Sequence, residues 1–199
     1  MLWLASQPLV LASQSKVRRA LLEAAGIPVD ARPAHLDERA IEEEVAGGPG
    51  DVAITLAREK ARTVATMPDR VVVGCDQTLA LGERRFSKPA DREAAREQLK
   101  LMRGKTHALH SAVAVVRNGS VTFTHVAVAR LTMRAFSDAF LETYLDEAGV
   151  DVTASVGAYQ LERTGVHLFE KIEGDHSTIL GLPLLPLLEH LRKAGVLAR

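Results

Sequence analysis

Hydrophobic residues along this chain follow two periodicities, one typical of buried strands and one typical of amphipathic helices. The apolar run Leu9–Ala12 predicts a buried strand, and residues 13–15 form a serine-rich turn after it. Apolar positions then recur at helical spacing over residues 17–25, and Gly26 with Pro28 predicts the end of that helix. The pattern therefore predicts that the chain opens with a strand, a turn and a helix.

The central part of the chain repeats this alternation. Residues 33–44 are acidic and poorly periodic, so no regular element is predicted there. Asp51 is predicted to cap a helix whose apolar stripe covers residues 54–64, and a β-branched run predicts a strand over residues 71–81. Pro89 and Asp91 then introduce a further helix, with apolar residues inward as far as Met102.

The second half of the chain adds a hairpin. Two strands are predicted over residues 108–117 and 121–133, and the Asn118-Gly119 pair between them is typical of a tight hairpin turn. A helix capped by Ser137, a strand and a last helix follow at about residues 138–148, 166–172 and 184–193. Because the hairpin is antiparallel while the other strands alternate with helices, we expect an α/β fold with a mixed twisted sheet and flanking helices.

Composition narrows the class of protein. A chain of 199 residues, 47% of them hydrophobic, is typical of one soluble domain. Its 25 basic and 25 acidic residues give a net charge of zero, which argues against a nucleic-acid partner. The single cysteine, Cys75, excludes an intramolecular disulfide and disfavours a zinc site built from cysteines.

The first residues of the chain do not have the pattern of a secretory signal. Their positive charges follow the apolar stretch instead of preceding it, and polar residues interrupt that stretch. No apolar run reaches the roughly 18 residues that predict a membrane span. We therefore expect a cytoplasmic protein with no membrane partner.

The turn between the first strand and the first helix is a candidate anion site. A helix N-terminus presents unpaired backbone N–H groups and partial positive charge, so it attracts phosphate. Hydroxyls at Ser13 and Ser15 add donors, and Arg18 offers a planar guanidinium. The structural alternative is that Ser15 only caps the helix and Arg18 is solvated, and these residues alone favour it slightly.

Three further charged residues have two interpretations each. Asp76 follows a buried strand, where a carboxylate either serves metal or water activation or braces the next turn. Lys60 borders an apolar helical stripe, so its ammonium group points either to solvent or into a cleft. Lys88, before Pro89, belongs to an extended loop and is most simply exposed.

Familiar nucleotide and metal motifs are absent from the sequence. There is no Walker A loop, no GxGxxG fingerprint, no GxSxG elbow and no HExxH pair among the seven histidines. The residues by themselves therefore predict a soluble α/β protein with an anion pocket.

Eight blocks, in order, resemble the Maf family over nearly the whole chain. They are LVLASQSKVRRALLEAAGI, LDE (residues 36–38), LAREKA, VVVGCDQT, KP (residues 88–89), LKLMRGKTH, GAY and EGDHSTILGLPL. The resemblance implies a nucleoside triphosphate pyrophosphatase that cuts between the α- and β-phosphates. It also implies a single Maf-like domain over residues 1–199, with two lobes around a cleft and a sheet like that of inosine triphosphate pyrophosphatases.

The resemblance also assigns the site residues. The phosphate-binding serine and arginine fall on Ser13 or Ser15 and on Arg18, the acidic residue on Glu38, the lysines on Lys60 and Lys88, and the catalytic aspartate on Asp76. A divalent cation, Mg²⁺ or alternatively Mn²⁺, would be held by Asp76 and Glu38. The three cationic side chains would then stabilise charge on the phosphate chain. A homodimer is the assembly that the resemblance implies.

Three positions point to one branch of the family. Many members have Ser-Pro-Arg-Arg in the first turn, and members that favour dTTP and UTP resemble GADT at the strand end. This chain has Val17, Gln77 and Glu162 at the differing positions, a combination that resembles the branch acting on 7-methyl-GTP. A carboxylate such as Glu162 suits a positively charged methylated guanine. Such an enzyme would keep modified nucleotides out of nucleic acids.

Two alternatives stay open at this stage. One is a dTTP- or UTP-preferring pyrophosphatase. The other is a nucleotide-binding regulator of cell division or septum formation, in which turnover is not essential.

Overall fold

A mixed sheet forms the centre of the fold. The computed structural model describes residues 2–199, and within them the sheet has seven strands: β1 (Leu9–Ala12), β2 (Val29–Ala31), β3 (Val72–Leu81), β4 (Arg84–Phe86), β5 (Thr106–Arg117), β6 (Ser120–Met133) and β7 (Phe169–Glu173). The strand order is β2-β1-β3-β5-β6-β7, and β4 pairs with β3. β1 is parallel to both β2 and β3, whereas β3–β4 and β6–β7 are antiparallel. The predicted α/β class with a mixed sheet is confirmed.

Helices flank the sheet where the sequence pattern predicted most of them. They are α1 (Lys16–Ala24), α2 (Glu38–Glu44), α3 (Pro49–Val64), α4 (Arg92–Met102), α5 (Asp138–Ala148), α6 (His176–Ile179) and α7 (Leu184–Lys193). Short 3₁₀ segments occur at Gly149–Thr153, Val156–Ala158 and Thr164–Leu168. Ser15, Asp91 and Ser137 cap their helices through side-chain oxygens, as predicted for Ser137 and as the structural alternative held for Ser15. Across residues 2–199, no helix has both the length and the apolar character needed to cross a membrane.

The sequence pattern did not predict α2, β2 or β4, and its predictions for Asp51 and for the start of β7 were wrong. The acidic stretch 33–44 contains α2, which Asp37 caps and which buries none of its residues, so it has no apolar stripe to detect. β2 and β4 were not predicted because each has three residues, too few to show an alternating pattern. Asp51 is the third residue of α3 and not its cap; its carboxylate accepts from the N–H of Gly48, 2.8 Å away. β7 begins at Phe169, because the preceding residues form a 3₁₀ segment.

The chain divides into two compact units. The first comprises the residues up to Gln77 together with Ser111–Ala127 and Asp175–Arg199. The second comprises Thr78–His110 and Val128–Gly174. The boundaries fall inside β3, β5 and β6, so each of these strands contributes residues to both units.

In the first unit, alternate residues of β1 and β3 face opposite layers. One face carries Leu9, Leu11 and Cys75, which share a buried cluster with residues of α1 and α7. The other face carries Val10 and Val72, which pack with Ala61 of α3. Both strands are thus covered on both sides, as their continuous apolar runs require.

The second unit has its own core. α4 and α5 pack together and bury residues of both helices. Beside them lies a ring cluster in which His107 Nε2 is 2.7 Å from the Tyr159 hydroxyl and the ring of Phe169 packs against both. Burial lowers the pKa of His107 to about 4. This histidine is therefore neutral at physiological pH, and its ring packs within this cluster.

α3 approaches β3 more closely than any side chain would permit. A Cβ atom added at Gly74 would lie 2.0 Å from the carbonyl oxygen of Ala57 and 2.7 Å from the nitrogen of Ala61. Three fully buried alanines, Ala53, Ala57 and Ala61, line this side of the helix. The absence of a side chain at Gly74 and the small alanines together set the helix–strand distance.

Replacing this glycine is expected to separate the two backbones. We predict that Gly74→Ala lowers the free energy of unfolding by about 1–3 kcal/mol, because backbone atoms cannot swing aside as a flexible side chain can. Urea unfolding of the variant and the wild type would measure the difference. Gly48→Ala is the control, since its added Cβ would make only an ordinary contact of 3.8 Å with Asp51. Equal losses in the two variants would contradict the proposed backbone clash.

Candidate functional site

Asp76 lies on the same face of β3 as Gly74, because side chains two positions apart on a strand point the same way. That face meets α3, on which Lys60 follows Ala57 by three residues. The Nζ of Lys60 donates to Oδ1 of Asp76 across 2.6 Å, and the two side chains are only 11% and 10% exposed. The structure thus resolves the ambiguity of Lys60: its ammonium group points to a carboxylate and not to solvent.

Glu38 completes a carboxylate–ammonium–carboxylate array. It is the first residue of α2, and its Oε1 lies 2.8 Å from Lys60 Nζ. Its side chain is 48% exposed, so it forms the open side of the array. The three groups together carry one net negative charge, which attracts a cation to this position.

The two carboxylates fit a divalent ion of a particular kind. Within residues 2–199 no three His, Cys, Asp or Glu side chains cluster as a metal cage would require. Mg²⁺, however, is commonly held by one or two carboxylates, with waters and substrate phosphates completing its shell. Asp76 and Glu38 contact the same ammonium nitrogen, so the two carboxylates border one position. The donor set fits an ion that binds together with a phosphate.

Arg18 lies on the opposite face of β3. Its Nε donates to the Gly181 carbonyl at 2.8 Å, and its Nη1 donates to the Cys75 carbonyl at 3.1 Å and to Ser13 Oγ at 3.3 Å. The half-buried guanidinium is therefore anchored to the protein through two of its nitrogens, and the alternative of a freely solvated side chain is wrong. The predicted phosphate contact falls on Nη2, because Nε and Nη1 are engaged with the protein.

The serines of the first turn organise the backbone around Arg18. Ser15 Oγ accepts from the Arg18 N–H at 3.2 Å and caps α1, so its predicted capping role is confirmed. Ser13 Oγ accepts from the Ser15 N–H at 3.2 Å. Val17, in the same turn, is half-buried. These hydrogen bonds order the turn, and phosphate binding at Ser13 and Ser15 stays a prediction.

The segment Asp175 to Leu182 (the 175–182 segment) is held by a second strand residue. Gln77 Nε2 donates to the Thr178 and Ile179 carbonyls at 3.1 and 3.0 Å and to Ser111 Oγ at 2.8 Å. Ser111 Oγ donates in turn to the Thr178 carbonyl at 2.6 Å. The sequence assigned Gln77 to specificity, and its amide binds this segment of the protein.

The N-terminal end of the segment is capped. Asp175 accepts hydrogen bonds from the hydroxyl and N–H of Ser177 and from the N–H of Thr178. These bonds, the Ser177 hydroxyl first among them, lower the pKa of Asp175. The capped turn fixes the backbone whose carbonyls Gln77 and Ser111 bind.

Cys75 precedes Asp76 on β3, and its side chain points to the opposite face of the strand. Its side chain is fully buried in the cluster with α1 and α7, and burial raises the pKa of its thiol to about 11. Its contribution is the backbone carbonyl that accepts from Arg18.

Two predicted site residues belong to the second unit. Lys88 is exposed in the segment after β4, and Glu162 is exposed in a turn before the last 3₁₀ segment. The other predicted site residues lie in the first unit, in separate contacts. Glu38, Lys60 and Asp76 meet on one face of β3. Arg18 with the serines of the first turn, and Gln77 with its carbonyl partners, lie on the other. The roles of Lys88 and Glu162 stay predictions from the resemblance.

Three residues that shape the site were not predicted from the sequence. Gly74 interrupts a β-branched strand, a signal of close backbone approach that was available in the sequence. Ser111 is one polar residue in an apolar run, and its partners are distant in the chain. Gly181 lies in the last block that resembles the family, without a predicted role of its own, whereas its carbonyl accepts from Arg18 and its φ is +89°.

Comparison of the sequence with known proteins identifies the family of the chain. Residues 8–194 match the family described as "Maf-like protein", and this chain belongs to the Maf family. A protein named "Nucleoside triphosphate pyrophosphatase" from Rhodopseudomonas palustris is 59% identical over 199 residues, covering 99% of this chain and 98% of its own. A protein from Rhizobium meliloti named "7-methyl-GTP pyrophosphatase" is 49% identical over 193 residues, covering 95% and 97%.

A solved structure of a HAM1 protein from Coxiella burnetii resembles 65% of this chain and 74% of its own, with a TM-score of 0.42 and 17% identity. The predicted family is confirmed by the sequence relatives.

The array predicts an asymmetry in stability. We expect Lys60→Met to lower the free energy of unfolding by about 3 kcal/mol, because it leaves the buried Asp76 carboxylate beside Glu38 without the ammonium. Asp76→Asn should lower the free energy of unfolding clearly less, since Lys60 keeps its ion pair with Glu38. Chemical denaturation would compare the two variants with the double variant, which should recover part of the Lys60→Met loss. Additive losses in the double variant would contradict the pairing.

Gly181 provides a test of the Arg18 contact. An added Cβ would lie 2.9 Å from Arg18 Nη2 and 3.0 Å from Nε, so Gly181→Ala should displace the guanidinium. The positive φ by itself costs about 1 kcal/mol for alanine. Gly195→Ala isolates that backbone cost, because its φ is +71° and the added Cβ meets nothing within 4 Å. We predict that both variants are less stable than the wild type. Only Gly181→Ala should weaken the binding of a nucleoside triphosphate, as measured by titration calorimetry.

Proposed function

We propose that this chain hydrolyses 7-methyl-GTP to 7-methyl-GMP and pyrophosphate and so keeps the modified nucleotide out of nucleic acids. At the coarser level the chain is a nucleoside triphosphate pyrophosphatase of the Maf family. The observation that carries the proposal is the buried Lys60–Asp76 pair with Glu38 at its open side. This array suits a reaction in which water attacks an anionic phosphate group and negative charge moves to the leaving pyrophosphate.

The proposed reaction assigns the proton transfer to Asp76. A water oxygen attacks the α-phosphorus, a new P–O bond forms, and the bond from the α-phosphorus to the bridging oxygen breaks. The water proton passes to the Asp76 carboxylate, and pyrophosphate leaves with the bonding electrons. Lys60 fixes the orientation of the carboxylate through its hydrogen bond, which directs the acceptor oxygens towards one position.

Asp76 and Glu38 would hold the Mg²⁺ ion, or Mn²⁺ as an alternative. When bound, such an ion withdraws charge from phosphate oxygens and so makes the phosphorus easier to attack. Glu38, being half-exposed, is the carboxylate that is free to move towards an entering ion.

The cationic side chains would bind the phosphate chain. Lys60 lies beside the reacting carboxylate, and Arg18 is held rigidly by two backbone carbonyls, so neither loses much freedom on binding. Lys88 enters the proposal on the resemblance alone.

The proposed preference for 7-methyl-GTP is supported by the charge of one side chain and by one relative. Methylation at N7 gives the guanine ring a positive charge, which an exposed carboxylate such as Glu162 attracts. The Rhizobium meliloti relative that is named for this substrate is 49% identical to the chain. Val17 and Gln77 are the further positions that resemble this branch.

A nucleotide panel tests the proposal. Purified protein with Mg²⁺ should release monophosphate and pyrophosphate, with a higher kcat/KM for 7-methyl-GTP than for GTP, dTTP or UTP. Asp76→Asn should lower kcat by about 100-fold or more, because it removes the proton acceptor. Asp30→Asn is the control, since Asp30 pairs with Arg32 and Arg70 in the same unit. Chromatography of the products would identify the bond that is cut.

Each other outcome points to a different function. Release of orthophosphate would reject the bond specificity. Preference for dTTP or UTP would reject the proposed base. Tight nucleotide binding without turnover would favour the regulatory alternative.

A further inference from the structure

We infer that Ser111 is a positioning residue of the nucleotide site, and that Gln77 influences base selectivity through Ser111 and the 175–182 segment. The inference rests on the proposed function and adds a residue to which neither the motifs nor the relatives assign a role. It also replaces direct contact between Gln77 and the base with an indirect route.

Ser111 joins the strand and the segment as both acceptor and donor. A hydroxyl has one hydrogen to donate and lone pairs to accept with. Ser111 uses its hydrogen for the Thr178 carbonyl at 2.6 Å and accepts from Gln77 Nε2 at 2.8 Å. The direction of the chain is therefore Gln77 to Ser111 to Thr178. Such chains polarise one another and strengthen each bond.

Burial makes this connection costly to break. Ser111 is 0% exposed, and Thr178 is 3% exposed. Removing the Ser111 hydroxyl would leave the Thr178 carbonyl and the Gln77 amide with one partner fewer, away from water. The protein should respond by moving the segment, since β3 and β5 are fixed in the sheet.

The amide of Gln77 is committed to the protein. Its two N–H groups are shared among three acceptors, the Thr178 and Ile179 carbonyls and Ser111 Oγ. Donating to a nucleobase would mean abandoning one of these buried acceptors. An effect of residue 77 on the choice of base is therefore transmitted more readily by the segment.

The segment has a direct connection to the phosphate side of the site. Its Gly181 carbonyl accepts from Arg18 Nε at 2.8 Å. The neighbour of Gln77 on β3 is Asp76, whose side chain points to the other face. A shift at residues 178–179 thus alters the support of Arg18 while leaving the Lys60–Asp76 pair in place.

A double-variant cycle that measures base selectivity tests the connection from Gln77 through Ser111 to the 175–182 segment. The measured quantity is the ratio of kcat/KM for 7-methyl-GTP to that for dTTP, in the wild type, Ser111→Ala, Gln77→Ala and the double variant. We expect each single change to lower the ratio about tenfold, mainly through KM. The double variant should fall no further than the singles, because both interrupt one connection. Multiplied effects in the double variant, or an unchanged ratio in Ser111→Ala, would overturn the inference.

Hydrogen exchange supplies a readout that does not depend on turnover. Amide exchange over residues 177–182 should be about tenfold faster in Ser111→Ala than in the wild type. Thr122→Val is the control for the loss of a hydroxyl bond outside the segment, because the exposed Thr122 donates its Oγ1 hydrogen to the Val115 carbonyl of the same unit at 3.3 Å. The control should leave both the exchange of the segment and the selectivity ratio unchanged.

The two readouts separate the two proposals. If the wild type hydrolyses none of the nucleotides, the proposed function fails, and with it the selectivity role of Ser111. Unchanged exchange in Ser111→Ala, in an enzyme that does turn over, would overturn the inference alone. An equal loss of selectivity in Thr122→Val would also overturn it, because general weakening of the unit would then explain the effect.

Discussion

The close approach of α3 to β3 at Gly74 is the constraint on which the site depends. A strand glycine and three buried alanines allow the helix backbone to lie against the strand backbone, where any larger side chain would hold them apart. Lys60 and Asp76 project from the two elements beside this contact, and their separation of 2.6 Å follows from it. The chemistry of two charged groups is thus set by residues that carry no functional group.

The two faces of β3 serve different purposes in the same unit. Towards α3 the strand presents Asp76, an acid paired with a buried ammonium. Towards α1 and α7 it presents a buried thiol and then Gln77, whose amide binds the 175–182 segment. Because side chains alternate along a strand, Asp76 and Gln77 point to opposite faces. A substitution at one of these positions therefore need not alter the contacts of the other.

Periodicity alone predicted the main elements because they are long and amphipathic. The last helix and the Asn118-Gly119 hairpin lie where their patterns placed them, and Asp91 and Ser137 cap their helices through oxygens that the sequence displays. α2 escaped detection for the opposite reason: it buries no residue, and so it leaves no apolar stripe. Short strands such as β2 have too few residues to show a pattern.

The site was less predictable than the fold. Family resemblance selected Glu38, Lys60 and Asp76, but their contact depends on packing between elements that are distant in sequence. For Arg18, a local reading could not anticipate acceptors at Gly181 and Cys75, which lie 163 and 57 residues away. A sequence pattern shows which side chains are available, while long-range backbone geometry determines which of them meet.

The burial of Cys75 has a consequence for how the enzyme tolerates oxidising conditions. Peroxides and alkylating reagents attack thiolates, and a thiol whose pKa is about 11 is almost wholly protonated at neutral pH. The sole sulfhydryl of the chain is therefore shielded both chemically and sterically, although its backbone supports Arg18. Oxidising conditions would therefore leave this position of the enzyme unmodified.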